Sequence, residues 1–295
     1  NEVTQIRKVG KMVKAIFLDI DGTLRDECSG VPQSAYTAVR MCRERGIRIL
    51  ICTGRNLASI QEEILSMDTD GIIAGGGCLI AENGYVQKKS YFQKPETERI
   101  QGYLLTRELP FAMESQERIF MNRAAAVLLR QDFIGKLKGL GAEEIRKREK
   151  ENSIPYEDTL KEYMHSPDHI HKFCLWCRPE DWEAVCATVP GWGAVVQQSA
   201  PTDGKIRKWG YLELQPAGCT KGQAIRWWCR RNGIRLEDTM SFGDGKNDVD
   251  MIRTTGIGVA MEDGDEELKQ WADSLCRPAA RDGIYRELVR RGIIE

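Results

Sequence analysis

The chain has 295 residues, of which 41% are hydrophobic and 29% charged, with 43 Lys and Arg against 44 Asp and Glu for a net charge of -1. That length allows two domains or one large core, and the composition is that of a globular chain, not a disordered or fibrous one. Balanced charge excludes a global field drawing the protein onto nucleic acid or an anionic membrane, and nowhere do about eighteen apolar residues run together.

The opening NEVTQIRKVGK lacks an apolar signal segment, and Met12 would itself make a natural start. The expectation is a soluble, cytoplasmic protein with no nucleic-acid or membrane partner, its oligomeric state left open. VKAIFLDI then reads as a strand, AYTAVRMCRER as a helix, IRILICT as a strand, LASIQEEILSM as a helix and GIIAG as a strand. This β-α-β-α-β order predicts a parallel sheet covered by helices on both faces.

From about Gly84 to Lys205 the pattern changes to a hairpin, FAMESQERIFMNR, and strands HIHKFCLW and AVVQQS mixed with helices. This is an α+β pattern, entered and left through turn-prone stretches at Glu82-Asn83-Gly84 and Thr202-Asp203-Gly204. RKREKENSIPYED reads as a polar surface excursion. Afterwards YLELQ, TKGQAIRWWCRRNG, DTMSFGD, DVDMIRT and GIGVAM return to the first pattern. The expected fold class is α/β, with a Rossmann-like parallel-sheet core made of residues 1–83 and 206–295 and an inserted α+β domain over 84–205.

In an open parallel sheet, ligands bind beyond the carboxyl ends of the strands. There the first strand delivers Asp19 and Asp21, the second Thr53-Gly54-Arg55, and the late strand Asp244 with Asp248 shortly after, while Lys221 opens the helix after YLELQPAGC. Carboxylates about 4 Å apart repel by roughly 4 kcal/mol per pair at a surface dielectric, so a cation is needed to hold them together. An all-oxygen set without His or Cys suits a hard cation, and Mg²⁺ typically combines a few carboxylates with a substrate phosphate. The four carboxylates Asp19, Asp21, Asp244 and Asp248 are the candidate Mg²⁺ set. A carboxylate also serves as nucleophile through an aspartyl-phosphate, with Thr53, Gly54 and its amide, and Lys221 binding the phosphoryl oxygens.

FLDIDGTL, ICTGR, CTKG and FGDGKND, in this order, resemble the four motifs of the haloacid-dehalogenase-like (HAD) hydrolases. An insertion between the third strand and the lysine motif, the AENGY turn and the tail GIGVAM…EELKQWAD…DGI are similar to the Cof-type branch, whose α+β cap sits there. The resemblance implies a Mg²⁺-dependent phosphatase of a small phosphorylated metabolite, such as a sugar phosphate. Asp19 would be the nucleophile and Asp21 the general acid and base. Asp244 and Asp248 would hold Mg²⁺ with Asp19, Thr53 and Lys221 would bind the phosphoryl group, and Asn247 would help orient it. A sugar-phosphate mutase of the same superfamily and a non-catalytic phospho-metabolite-binding or regulatory protein are the alternatives. The branch usually follows GVAM with Gly-Asn; here Glu262-Asp263 stands instead, either an exposed turn or a change in substrate or cation preference.

Other features read as structure. The ten cysteines follow no disulfide spacing, and Cys174 and Cys177 of the one CxxC would face opposite sides of a strand. His165, His169 and His171 read as a polar strand edge before they read as metal ligands. Of Trp227 and Trp228, one is expected on the sheet and the other over a surface seam. Arg118, Arg123, Lys88 and Lys94 in the insert read as solvated charges.

Overall fold

The computed structural model describes residues 12–26, 29–137, 139, 141–143, 145–146, 156–201 and 209–295. The chain begins with β1 (Ala15–Leu18), α1 (Gln33–Glu44), β2 (Arg48–Cys52), the single turn α2 (Glu62–Leu65), β3 (Gly71–Ala74) and the hairpin β4 (Leu79–Glu82) and β5 (Tyr85–Lys89). A second group follows: α3 (Lys94–Thr106), β6 (Phe111–Glu114), β7 (Ile119–Met121), α4 (Arg123–Lys136), α5 (Leu160–Met164), β8 (Lys172–Cys177), α6 (Pro179–Thr188), β9 (Ala194–Ser199) and β10 (Gly210–Gln215). The last stretch holds α7 (Lys221–Arg231), β11 (Thr239–Gly243), α8 (Val249–Thr254), β12 (Ile257–Met261), α9 (Glu266–Trp271), β13 (Ser274–Cys276) and α10 (Gly283–Arg290).

The large sheet has eight strands in the order β13-β12-β11-β1-β2-β3-β4-β5, parallel from β13 through β3 and antiparallel at β4 and β5. The α/β expectation holds. β1 sits between β2 and β11 and is apolar at every position because both of its faces are covered. Ile16 and Leu18 pack with α1 and α10 on one face, while Ala15 and Phe17 pack with α7 on the other. Trp228 of α7 is fully buried, edge-on to Phe17 at 5.6 Å, and donates to Glu82 at 2.8 Å. Trp227 is only partly buried, with Lys88 and Arg231 over its ring.

The small sheet is antiparallel, in the order β7-β6-β8-β10-β9. One face buries Phe111, Met113, Phe173, Leu175, Leu212 and Leu214 against α3 and α6. Cys174 and Cys177 point to opposite faces of β8, as alternation requires.

Two strand assignments change. The Glu82-Asn83-Gly84 turn joins β4 to β5 inside the large sheet, with Asn83 at φ 52° and Gly84 at φ 77°, so the chain leaves that sheet after Lys89 and not at Gly84. YLELQ is β10 of the small sheet, so the large-sheet pattern resumes only with α7. The physical signal is its alternation: Leu212 and Leu214 enter the core while Tyr211 and Glu213 face the other way, the mark of a one-sided antiparallel strand. LASIQEEILSM, read as one helix, is a 3₁₀ turn at Leu57–Ser59 followed by α2. Cys28, the Thr202-Asp203-Gly204 crossing and most of RKREKENSIPYED lie outside the described residues.

Candidate active site

Asp19 follows β1 directly, and its backbone N–H still donates across to Phe242 of β11. The turn after it depends on Gly22, at φ 80°, where a Cβ would run into the Asp244 carboxylate. Only glycine allows both that backbone conformation and that approach. Thr23 Oγ1 then donates to Asp244 Oδ1 at 2.9 Å, tying the loop after β1 to the loop after β11. Thr220 caps α7, accepting from Gln223 N–H, and so aims Lys221 inward.

Lys221 Nζ donates to Asp19 Oδ1 at 2.7 Å and to Asp248 Oδ1 at 2.5 Å, with all three side chains buried. Asp248 Oδ2 accepts the backbone N–H groups of Asp244 and Gly245, which fixes the loop. Burial raises the Asp19 carboxyl well above its ordinary value, and Asp248 and Asp244 add to this while Lys221 opposes it. Burial likewise pushes Asp244 up to about 7, with Asp248 adding to it. Burial works against the charge of Lys221, yet Asp19 and Asp248 hold its pKa well above an ordinary lysine.

Asp19, Asp244 and Asp248 each offer a carboxylate oxygen within 4.8 Å of the others. One ammonium does not balance three carboxylates, and a hard cation with oxygen ligands relieves the crowding. This donor set fits Mg²⁺. Asp21, grouped with these ligands on sequence, stands apart from them. Its two oxygens accept from Arg55 Nε at 2.6 Å and Arg55 Nη2 at 2.8 Å, a forked ion pair that matches guanidinium to carboxylate. Arg55 had no assigned role in the sequence analysis; its place directly after Thr53-Gly54 was the available signal.

Thr53 is buried, and its Oγ1 accepts Arg55 N–H at 3.1 Å, leaving the hydroxyl hydrogen free to donate. Gly54 lies against the Asn247 amide, so close that a Cβ would come within 3.4 Å of it. Asp19, Asp21, Thr53, Gly54, Arg55, Asp244 and Asn247 all line one cavity of about 490 Å³, whose far wall is built by the small sheet. The sequence-derived residues therefore do meet at one strand edge.

Glu262 and Asp263 are exposed in the turn after β12 and do not line this cavity. Nor do Arg118, Arg123, Lys88 or Lys94; Arg118 pairs with Asp168 and covers Phe120. The small sheet instead presents Glu114, Lys172, Tyr211 and Glu213. Sequence reasoning missed these four, although the polar positions of alternating strands are where such residues sit. His169 stacks on Tyr91 at 4.2 Å and His171 is buried, both ahead of β8 and not on a strand edge. Among the described residues neither joins a potential metal cluster, and no helix is long and apolar enough to cross a membrane.

A family model described as haloacid dehalogenase-like hydrolase matches residues 16–288. YkrA of Bacillus subtilis is 27% identical over 284 residues, covering 96% of this chain and 99% of that one. The 5-amino-6-(5-phospho-D-ribitylamino)uracil phosphatase YwtE, also from Bacillus subtilis, is 23% identical, covering 92% and 96% of the two chains. Among solved structures, the HAD subclass IIB sugar phosphatase BT4131 superposes with a TM-score of 0.74 at 26% identity, over 96% of this chain and 100% of that one.

Proposed function

The chain belongs to the haloacid dehalogenase-like hydrolase family, and we propose that it is a Mg²⁺-dependent phosphatase that hydrolyses a small phosphorylated metabolite, a sugar phosphate or a close analogue, through an aspartyl-phosphate. The observation that carries this reading is that Asp19, held by Lys221 from behind, and the Arg55-held Asp21 line one cavity wide enough for a metabolite. Asp19, Asp244 and Asp248 would hold the cation, which supplies charge neutralisation for the phosphoryl oxygens. Mg²⁺ is thus assigned on donor chemistry.

Thr53 and the Gly54 backbone bind the phosphoryl oxygens, Asn247 orients them, and Lys221 offsets the negative charge between nucleophile and phosphorus. An Asp19 oxygen attacks phosphorus as the bond to the leaving oxygen breaks, and that oxygen takes a proton from Asp21, which acts in its protonated form with one of its two Arg55 contacts given up to the leaving oxygen. Asp21, now ionised, removes a proton from water; the resulting oxygen attacks phosphorus, releases inorganic phosphate and restores the Asp19 carboxylate. Arg55 keeps the Asp21 carboxyl aimed at the leaving oxygen. The small sheet acts as a cap domain over the site, excluding bulk water during the reaction.

The test is phosphate release from phosphorylated metabolites and an aryl phosphate, with Mg²⁺ and with chelator, for the wild type and Asp19→Asn. Release that needs Mg²⁺ and falls at least ~10³-fold in the variant is expected. Undiminished release by Asp19→Asn would remove the nucleophile assignment. Consumption of substrate to an isomeric phosphate without free phosphate would point to the mutase.

A further inference from the structure

The wall of the cavity opposite the acid cluster is built from cross-strand neighbours. Glu114 of β6 lies directly opposite Lys172 of β8 in the register, and Glu213 of β10 lies opposite Cys174, diagonal to Lys172. Lys172 Nζ is 3.1 Å from Glu114 Oε1 and 3.8 Å from Glu213 Oε1, and it donates to Gly54 O at 2.9 Å. Tyr211 OH donates to Glu213 Oε1 at 2.6 Å, and Cys174 Sγ donates to Glu114 Oε1 at 3.4 Å. Glu114, Lys172 and Glu213 are all buried, and all three line the cavity together with Tyr211 and Gln197.

This wall carries two carboxylates against a single ammonium. The ammonium is already shared between both glutamates and a backbone carbonyl, so little of its field is left for a ligand anion. Among the described residues each glutamate makes the hydrogen bonds above through Oε1, which leaves a second oxygen as an acceptor for hydroxyl donors. Across the cavity, Arg55 is likewise engaged by Asp21. Among the described residues lining the cavity, the two cations are thus Lys172 and Arg55, and both are held by carboxylates.

From this wall we infer that the leaving group is uncharged and polyhydroxylated, a sugar or alditol bearing a single phosphate, and that Glu114, Lys172 and Glu213 exclude leaving groups with a carboxylate or a second phosphate. The inference rests on the phosphatase reading above and adds to it the chemistry of the part of the substrate that is released. A second anion placed a few ångströms from Glu213 in a low-dielectric pocket meets a repulsion that water does not screen. A hydroxyl at the same place donates to the free carboxylate oxygen.

Glucitol 6-phosphate and 6-phosphogluconate test this, since they share length and stereochemistry and differ only in CH₂OH against carboxylate at the far end. An aryl phosphate serves as a reference for the chemistry itself. The wild type is expected to favour glucitol 6-phosphate in kcat/KM by about tenfold or more, the effect of roughly one unit of log equilibrium constant. Glu213→Gln keeps the shape and an acceptor for Tyr211 while removing one negative charge, and should reduce that preference about fivefold or more by raising kcat/KM for 6-phosphogluconate.

Equal or reversed preference in the wild type, or a preference that Glu213→Gln leaves intact, would overturn the inference while leaving the phosphatase reading in place. Hydrolysis of the aryl phosphate with neither of the two 6-phosphates turned over would do the same. No phosphate from any of the three compounds would overturn the phosphatase reading, and this inference with it.

Discussion

His171 shows how one residue sets a property of the fold. Burial, with Lys172 and Lys89 adding to it, lowers its pKa from 6.5 to about 3, and among the described residues its Nε2 has no hydrogen-bond partner. The unfolded chain therefore binds this proton first: the stabilisation is full above pH 6.5 and is lost as pH falls from there towards 3. Between pH 7 and pH 5 this amounts to about 2 kcal/mol, at 1.36 kcal/mol per pKa unit. Urea unfolding at both pH values should show the wild type losing about 2 kcal/mol more than His171→Gln. Equal losses would show that another group governs the acid limb.

At the scale of elements, α7 both carries Lys221 and closes one face of the large sheet through Trp228. Trp228→Ala removes a fully buried indole and one of the donors to Glu82, which keeps Arg48, so it should cost about 3–5 kcal/mol by denaturant unfolding. A loss below about 1 kcal/mol would mean that the site collapses around the gap. The elements differ in how far their sequences reveal them. AIFL, RILIC and TMSFG are near-continuous apolar runs whose carboxyl ends carry the acids and Thr53, so the parallel sheet and its reactive edge were both legible. YLELQ was not, because a five-residue strand does not name its sheet, and only its alternation favoured the antiparallel one. Lys172, Glu114 and Glu213 escaped notice for a related reason. They come from three strands far apart in the chain, and their meeting is a matter of register across β6, β8 and β10.

On the scale of the whole molecule, the hydrogen bonds between the small sheet and the strand edge of the candidate site include, among the described residues, Lys172 on Gly54 O, Asn56 Nδ2 on Ser115 O at 3.3 Å, and Gln215 on the Gly75 carbonyl, while β9 lies against residues 246–248. Each such bond contributes about 0.5–1.5 kcal/mol net, so separating the two units is a small step compared with unfolding either. Hydrogen exchange with and without Mg²⁺ and inorganic phosphate should show protection rising together at residues 54–59 and 115–118. Protection confined to one segment would show that the two units do not close on the ligand jointly.

The central place of β1 has a consequence for how the protein is made. Its partner on one side, β2, leaves the ribosome soon after it, but the partner on the other side, β11, pairs through Ala15 with Thr239, and these positions lie 239 − 15 = 224 residues apart. At about 5–20 residues per second of synthesis, one edge of this apolar strand stays unpaired for roughly 10–45 s. During that time the whole insertion emerges and can fold by itself. The nascent chain thus has a window of aggregation risk set by translation speed, and holding factors that bind apolar strands would act within it.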